Sequence, residues 1–164
     1  MDPGDEQILG DVETYGWHMI TVPADDHGPG FTYTIGLFKS YGHPEIILFG
    51  LPNEVMQGVV ATAADLVRGG AKFLADTRTS EVLNGYDCVF KAVRPEHYRE
   101  HLGYAMWYYR RIELDAFPAV QCVWPDRAGF FPWDAGFHAA NLVLQPALYA
   151  PGAVGERAVG GDAG

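Results

Sequence analysis

Titratable side chains cluster in one turn-forming segment near the start of the chain. Asp25, Asp26 and His27 are consecutive, and two carboxylates with an imidazole are groups that a divalent cation or a proton transfer could use. Three consecutive side chains converge only in a special turn, and Asp is common in turns for backbone reasons. The sequence therefore favours a turn over a metal site. If a further ligand joins these residues, we expect it to be His18 or His43.

His43 precedes Pro44, and a residue before proline is restricted to extended backbone. This restriction can fix an imidazole at the entrance of a strand, where it could contact a ligand. The ring can also hydrogen bond to a nearby carbonyl, and the structural role is the commoner one. Both interpretations keep His43 next to the strand that follows it.

His97 and His101 are two further imidazoles, four residues apart on a predicted helix. This spacing places both rings on one face, as two metal ligands would be. The intervening residues are Tyr98, Arg99 and Glu100, so the order of a helical zinc-protease motif is missing. The sequence favours an exposed, solvated face here.

A segment near residue 130 interleaves aromatic and acidic side chains, with WPDR beginning at Trp124 and FPWD ending at Asp134. Such rings can wall a pocket while a carboxylate orients a polar ligand. The carboxylates could instead hold a neighbouring arginine or cap a turn. If a pocket exists, we expect it between the Phe31 strand, His43 and this segment. The candidate ligand-binding residues are His18, Thr32, Thr34, His43, Trp124, Asp126, Trp133 and Asp134.

The sequence carries no motif that fixes a reaction. A glycine-rich phosphate loop, a Gly-x-Ser-x-Gly elbow and a Cys/His nucleophile pair at a recognisable spacing are all missing. Cys88 and Cys122 each lie inside an apolar run, which predicts buried free thiols and not a disulfide framework or a zinc site. Catalysis is therefore left open.

Residues 30–50 organise the elements that must position these side chains. Alternate residues from Phe31 to Ile35 are apolar, which is the period of a strand with one buried face. After a connector that ends at Pro44, residues 46–49 form an unbroken apolar run, which predicts a central strand buried on both faces. Pro52 then opens an amphipathic helix that ends near Arg68.

Shorter patterns predict the remaining elements. The strand that ends at Val22 joins the Phe31 strand through a long turn-rich loop, as an antiparallel hairpin. A second helix begins at Pro95, and the weakly patterned segment 71–84 ends in a turn at Asn84-Gly85. The predicted strands cover residues 15–22, 31–36, 46–49, 86–93 and 119–124. The predicted fold is α+β: a mostly antiparallel five- to six-stranded sheet that could curl into a barrel, with two helices packed on it.

Three blocks of the sequence resemble a family. They are GWHMITVPADDHGPGFTYTIGL, GHPEIILFGLP, and VWPDRAGFFPWD followed by Phe137. In this order they are similar to a bacterial family of unknown function, DUF4262, over residues 11–150. The resemblance implies a single-domain bacterial protein and supplies no mechanism. Segment 71–84 has no matching block.

The order of elements also resembles the first half of the split barrels that bind FMN, such as flavin reductases. In those proteins, backbone amides and hydroxyl groups near the second strand hold the phosphate. The matching positions here are Thr32, Thr34 and the backbone of residues 37–40. Lys39 is the only cation nearby, although phosphate sites usually contain an Arg or Lys. This resemblance implies FMN as a candidate cofactor.

Composition limits the class of protein. The 164 residues carry a formal charge of −10, and residues 1–14 contain five carboxylates without a Lys or Arg. Such an acidic surface repels phosphate backbones, so we expect no nucleic-acid binding. No leader peptide and no membrane-spanning run is apparent, which predicts a soluble, cytoplasmic protein without membrane contact.

We expect an acidic, flexible lead-in over residues 1–12, one globular domain over 13–150 and a disordered Gly/Ala-rich tail over 151–164. Two functions fit this organisation. In the first, the domain binds a small ligand or a cofactor, of the flavin or nucleotide kind. In the second, it is an acidic interaction module, such as an immunity or regulatory protein, that binds a basic partner without catalysis.

Overall fold

The computed structural model of the chain describes residues 2–151. Helix α1 (Pro3–Tyr15) leads into the hairpin of β1 (His18–Val22) and β2 (Phe31–Ile35). Helix α2 (Leu37–Tyr41), β3 (Glu45–Phe49) and α3 (Asn53–Arg68) follow. The second half contains β4 (Arg78–Leu83), β5 (Tyr86–Ala92), a 3₁₀ turn (Pro95–His97), α4 (Tyr98–His101), α5 (Gly103–Arg111), β6 (Ala119–Val123) and a 3₁₀ segment (Ala139–Leu144).

The six strands form one open sheet in the order β1-β2-β3-β6-β5-β4. Only β3 and β6 pair in parallel, and the other neighbours are antiparallel. The α+β class and the mostly antiparallel sheet are therefore confirmed. Of the two forms considered, the barrel is wrong and the open sheet is observed, because β1 and β4 lie at opposite edges and do not pair.

Two cores lie on the two faces of this sheet, and β3 contributes to both. Its alternate residues Ile46 and Leu48 pack with α3, whereas Ile47 and Phe49 pack with α1 and α5. The prediction that β3 is central and buried on both faces is confirmed. Cys88 and Cys122 are free and buried in the α3 core, as predicted.

Helix α3 begins directly after Pro52, as its apolar stripe predicts, and buries six residues from Met56 to Val67. The predicted second helix is instead divided into three pieces. The break lies at Leu102, whose backbone (φ −116°, ψ 34°) departs from the helical region, and Gly103 begins α5. The prediction of two helices is therefore wrong.

Helix α1 replaces the flexible lead-in predicted for residues 1–12. The Asp2 side chain accepts a hydrogen bond from the Asp5 amide at its start, and Ile8 and Val12 are buried at spacing i, i+4. With only two buried positions among many acidic residues, its pattern is weak in the sequence.

The strand β4 was also not predicted: it is an edge strand in which only Val82 is buried.

None of the helices in residues 2–151 is long and apolar enough to span a membrane. The predicted tail lies, apart from residue 151, outside the described residues.

Candidate functional site

His43 is buried and both ring nitrogens have protein partners. Nδ1 donates to the carbonyl oxygen of Pro44 at 2.8 Å, and Nε2 accepts from the amide of Phe73 at 2.9 Å. The structural role considered for this residue is therefore the one observed. The ring ties segment 71–84 to the start of β3.

Thr32 and Thr34 point into the molecule and are fully buried. Thr34 donates to Glu45 Oε1 at 2.6 Å, and the hydroxyl of Tyr109 also donates to this carboxylate. The backbone amides of residues 36–38 complete its shell at 3.0–3.1 Å. Burial raises the pKa of Glu45 and the hydrogen bonds oppose that shift. These two threonines are therefore part of the buried core, and neither hydroxyl group is accessible to a ligand.

Trp124 and Asp126 have structural partners as well. The indole Nε1 of Trp124 donates to the carbonyl oxygen of Phe49 at 2.7 Å, inside the α3 core. Asp126 accepts from the amides of Ala128, Phe130 and His138 at 2.9–3.0 Å. Burial opposes ionisation of Asp126, but these amides prevail and lower its pKa. The carboxylate thereby closes the loop that follows β6.

Trp133 and Asp134 lie on the outside of the same segment. The indole stacks on Phe131 with ring centroids 5.2 Å apart, and the Lys91 ammonium lies 4.7 Å from its centroid. Asp134 accepts from the amide of Phe131 at 2.8 Å. Aromatic and acidic residues here build a folded loop.

The segment Asp25–His27 is a turn. Asp25 Oδ1 accepts from the His27 amide at 2.8 Å, and the backbones of Asp25 and Gly28 form a bridge. Asp26 is exposed. Within residues 2–151, no group of three or more His, Cys, Asp or Glu side chains is placed to hold a metal ion.

His18 lies apart from all of these, against α1. Its Nδ1 is 2.7 Å from Asp11 Oδ2, and both residues line a cavity of about 400 Å³. The eight candidate residues are thus not brought together at one place.

A larger cleft, of about 690 Å³, lies at the other end of β1, next to Val22. We call it the histidine cleft, because His27, His97 and His101 line it. Its walls are the β1–β2 loop, the start of β2, the end of β3, the turn 95–101 and the segment 146–151. It shares the Phe31 strand with the predicted pocket, but neither His43 nor any residue of 124–137 lines it.

His101 forms part of the aromatic wall of the histidine cleft. Its ring packs edge-on against Phe31 and Phe49, with centroids 5.4 and 5.2 Å apart. Its Nδ1 is buried and has no hydrogen-bond partner in the described chain, while Nε2 lies 3.8 Å from Glu100 Oε1. Burial lowers the pKa of His101 and Glu100 opposes the shift, so the ring is neutral near pH 7.

The polar groups of the cleft are imidazoles and carboxylates. His97 Nε2 donates to the carbonyl oxygen of Ala150 at 2.8 Å, which attaches the last described segment to the wall. Asp25, Glu96 and Glu100 also line the cleft, and within residues 2–151 its lining includes no Lys or Arg. The site therefore has an apolar aromatic wall with a negative rim.

Sequence reasoning placed His97 and His101 on a solvated face, and this is wrong for His101, whose side chain is only 15% exposed. The i, i+4 spacing was the available signal. It could not show that α4 packs over the ends of β2 and β3, because those residues lie more than fifty positions away in the chain.

The model of one protein family, described as a domain of unknown function (DUF4262), matches residues 11–138. No curated protein and no solved structure matches the sequence.

Proposed function

Because the chain belongs to the DUF4262 family, whose description assigns no activity, we propose its function from the site: it binds a small organic cation, such as a protonated amine, in the histidine cleft. The observation that carries this proposal is the lining itself. Three carboxylates and three imidazoles surround an aromatic wall, and no Lys or Arg is among the lining residues in the described part of the chain.

Electrostatics select the charge of the ligand. Glu96 is paired with Arg94 at 2.9 Å, so the negative potential of the rim comes mainly from Asp25 and Glu100. This potential attracts an ammonium group and repels a phosphate. A phosphate site usually supplies an Arg or Lys fork or an array of free amides. A flavin or a nucleotide, which carries a phosphate, therefore fits this cleft poorly. A small ligand without a phosphate fits it well.

The aromatic wall selects the shape of the ligand. The rings of Phe31 and Phe49 lie with centroids 5.0 Å apart, and a cation over such a ring gains about 0.5–2 kcal/mol. The neutral His101 ring adds apolar surface and a weakly polar edge to the same wall. An amine attached to a flat apolar body satisfies both parts of the site.

A series of ligands that share a shape and differ in charge tests this proposal. Benzylamine, benzyl alcohol and benzoate carry the same ring with a positive, a neutral and a negative group. We expect benzylamine to raise the melting temperature of the full chain in a dose-dependent way and benzoate to leave it unchanged. Stronger stabilisation by benzoate, or none by any of the three, would refute a cation site.

The variant Glu100→Gln localises the effect. Glu100 is exposed on the rim, so its charge is partly screened and we expect benzylamine to bind about two- to fivefold more weakly. The matched control is Glu13→Gln, which removes the same charge from the exposed face of α1. Equal loss in both variants would mean that only net charge matters.

Helix α1 favours a second candidate, an acidic interaction module without catalysis. Asp2, Glu6 and Glu13 are exposed on a helix whose other face is anchored by Ile8 and Val12. Anchored carboxylates present a fixed negative surface, which can attract a basic protein partner at low salt.

A further inference from the structure

Asp11 and His18 meet in a second cavity, which shares no lining residue with the histidine cleft. Asp11 comes from α1 and His18 begins β1. The cavity is open to solvent, has a volume of about 400 Å³ and is completed by Trp17, Met19 and residues of α1 and α3, namely Tyr15, Ala61, Asp65 and Arg68. This cavity is therefore separate from the histidine cleft and contains a different set of ionisable side chains.

The hydrogen bond between the two residues sets the tautomer of the neutral imidazole. A carboxylate only accepts, so the N–H group of His18 Nδ1 donates a hydrogen bond to Asp11 Oδ2, 2.7 Å away. Asp11 Oδ1 is held in turn by Gln7 Nε2 at 2.9 Å. In the neutral ring this leaves Nε2 with its lone pair, and no other hydrogen bond to the ring is made within residues 2–151. A carboxylate behind an imidazole is the arrangement that orients a general base.

The corner between α1 and β1 is fixed by a hydrogen bond and a left-handed glycine, which position the pair. Gly16 ends α1 in the left-handed region (φ 94°), and its carbonyl oxygen accepts from Ser40 Oγ at 2.7 Å. A Cβ at Gly16 would clash with the hydroxyl group of Tyr41. The side chains of His18 and Asp11 are 15% and 23% exposed, which shields them without closing the cavity to a small molecule.

We propose that Asp11 and His18 form a proton-accepting pair that binds and deprotonates a small phenol in this cavity. His18 Nε2 can accept a hydrogen bond from an O–H group. Trp17 and Met19 provide aromatic and thioether surface on which a flat ring can pack. Arg68 lines the same cavity and supplies positive charge, although Asp65 holds it at 2.9 Å.

The proton transfer is balanced within the site. The phenol O–H bond breaks and a bond forms between its proton and His18 Nε2. The neutral phenol becomes a phenolate, and the neutral imidazole becomes an imidazolium. Asp11 stabilises the imidazolium. The other ionisable groups of the cavity are Tyr15, Asp65 and Arg68. This proposal does not depend on the histidine cleft.

The probe 4-nitrophenol tests the proposal, because its phenolate absorbs in the visible range and its neutral form does not. The full chain is titrated into the probe below the pH at which the free probe ionises. We expect the phenolate band to grow and saturate with protein concentration. His18→Asn should abolish the growth, and Asp11→Asn should weaken binding about tenfold or more.

The matched control is His138→Gln, which removes an exposed imidazole far along the chain from both residues and should leave the titration unchanged. If the band does not grow, or grows equally in His18→Asn, the proposal is wrong. Nitrogen-15 NMR of the unmodified protein gives an independent readout should Asp11→Asn fail to fold. The proton of neutral His18 is expected on Nδ1, and finding it on Nε2 would also overturn the assignment.

Discussion

At the scale of single residues, His43 shows how packing selects a protonation state. Nδ1 donates to the Pro44 carbonyl, so the lone pair must be on Nε2, where it accepts from the Phe73 amide. A second proton, on Nε2, would point at the N–H group of that amide and remove the hydrogen bond. Burial lowers the pKa of His43, and its bond to Pro44 only partly opposes the shift. The folded protein therefore holds His43 neutral.

This state predicts a pH dependence of stability. The folded pKa of His43 lies below the ordinary value of about 6.5, so the unfolded chain binds more protons between the two values. The free energy of unfolding should fall as the pH decreases from about 6.5 through the folded pKa, by up to about 1.4 kcal/mol per pH unit for this group. Burial of His101 acts in the same direction.

Urea unfolding of His43→Gln at several pH values checks this prediction. The variant should be less stable near pH 7, and its free energy of unfolding should vary less with pH than that of the unmodified protein. His138→Gln, at an exposed position, should keep the full slope. An unchanged slope in His43→Gln would contradict the argument.

At the scale of elements, two glycines join α1, β1 and α2. Gly36 has φ 112°, a conformation that side chains rarely adopt, and its amide donates to Glu45 Oε2. A Cβ there would lie 2.8 Å from the Gly16 carbonyl oxygen and 3.0 Å from Val12 Cγ1. The close approach of the two backbones leaves little room for a side chain at Gly36.

We therefore expect Gly36→Ala to lower the free energy of unfolding by about 2–4 kcal/mol, from backbone strain and the backbone contact together. Chemical denaturation measures the loss. Gly58→Ala in α3 is the matched control, because its added methyl group meets nothing within 4 Å. There the same substitution should raise stability by about 0.5–1 kcal/mol. A neutral Gly36→Ala would show that the corner can relax.

Helices α1 and α4 show why some elements escaped prediction. Helix α1 buries only Ile8 and Val12 and depends on a cap and on the sheet beneath it. Helix α4 is four residues long, between a 3₁₀ turn and the break at Leu102. Short or weakly amphipathic helices owe their stability to tertiary packing, which a local pattern does not contain.

At the scale of the whole molecule, half of the formal net charge of −10 comes from residues 1–14. If the acidic module is the function, the full protein should capture a basic protein from lysate at low salt and release it at high salt. The double variant Glu6→Gln/Glu13→Gln should reduce capture. Glu54→Gln/Glu81→Gln removes equal charge from exposed positions on α3 and β4 and should not. Recovery of nothing at low salt would refute this candidate.

The sequence by itself determined the family, the β1–β2 hairpin, the buried strand β3 and the amphipathic helix α3. The family follows from three blocks of sequence, and the three elements follow from periodicity or turn chemistry within neighbouring residues.

Only the tertiary structure decided that β3 pairs in parallel with β6, that the sheet stays open, and where polar side chains meet. It placed Thr34 and Tyr109 on Glu45, Asp11 on His18, and His101 over Phe31, whereas the sequence grouped His43 with Trp124. These outcomes depend on contacts between distant residues, and the energy of such contacts comes from burial and geometry that no local pattern encodes.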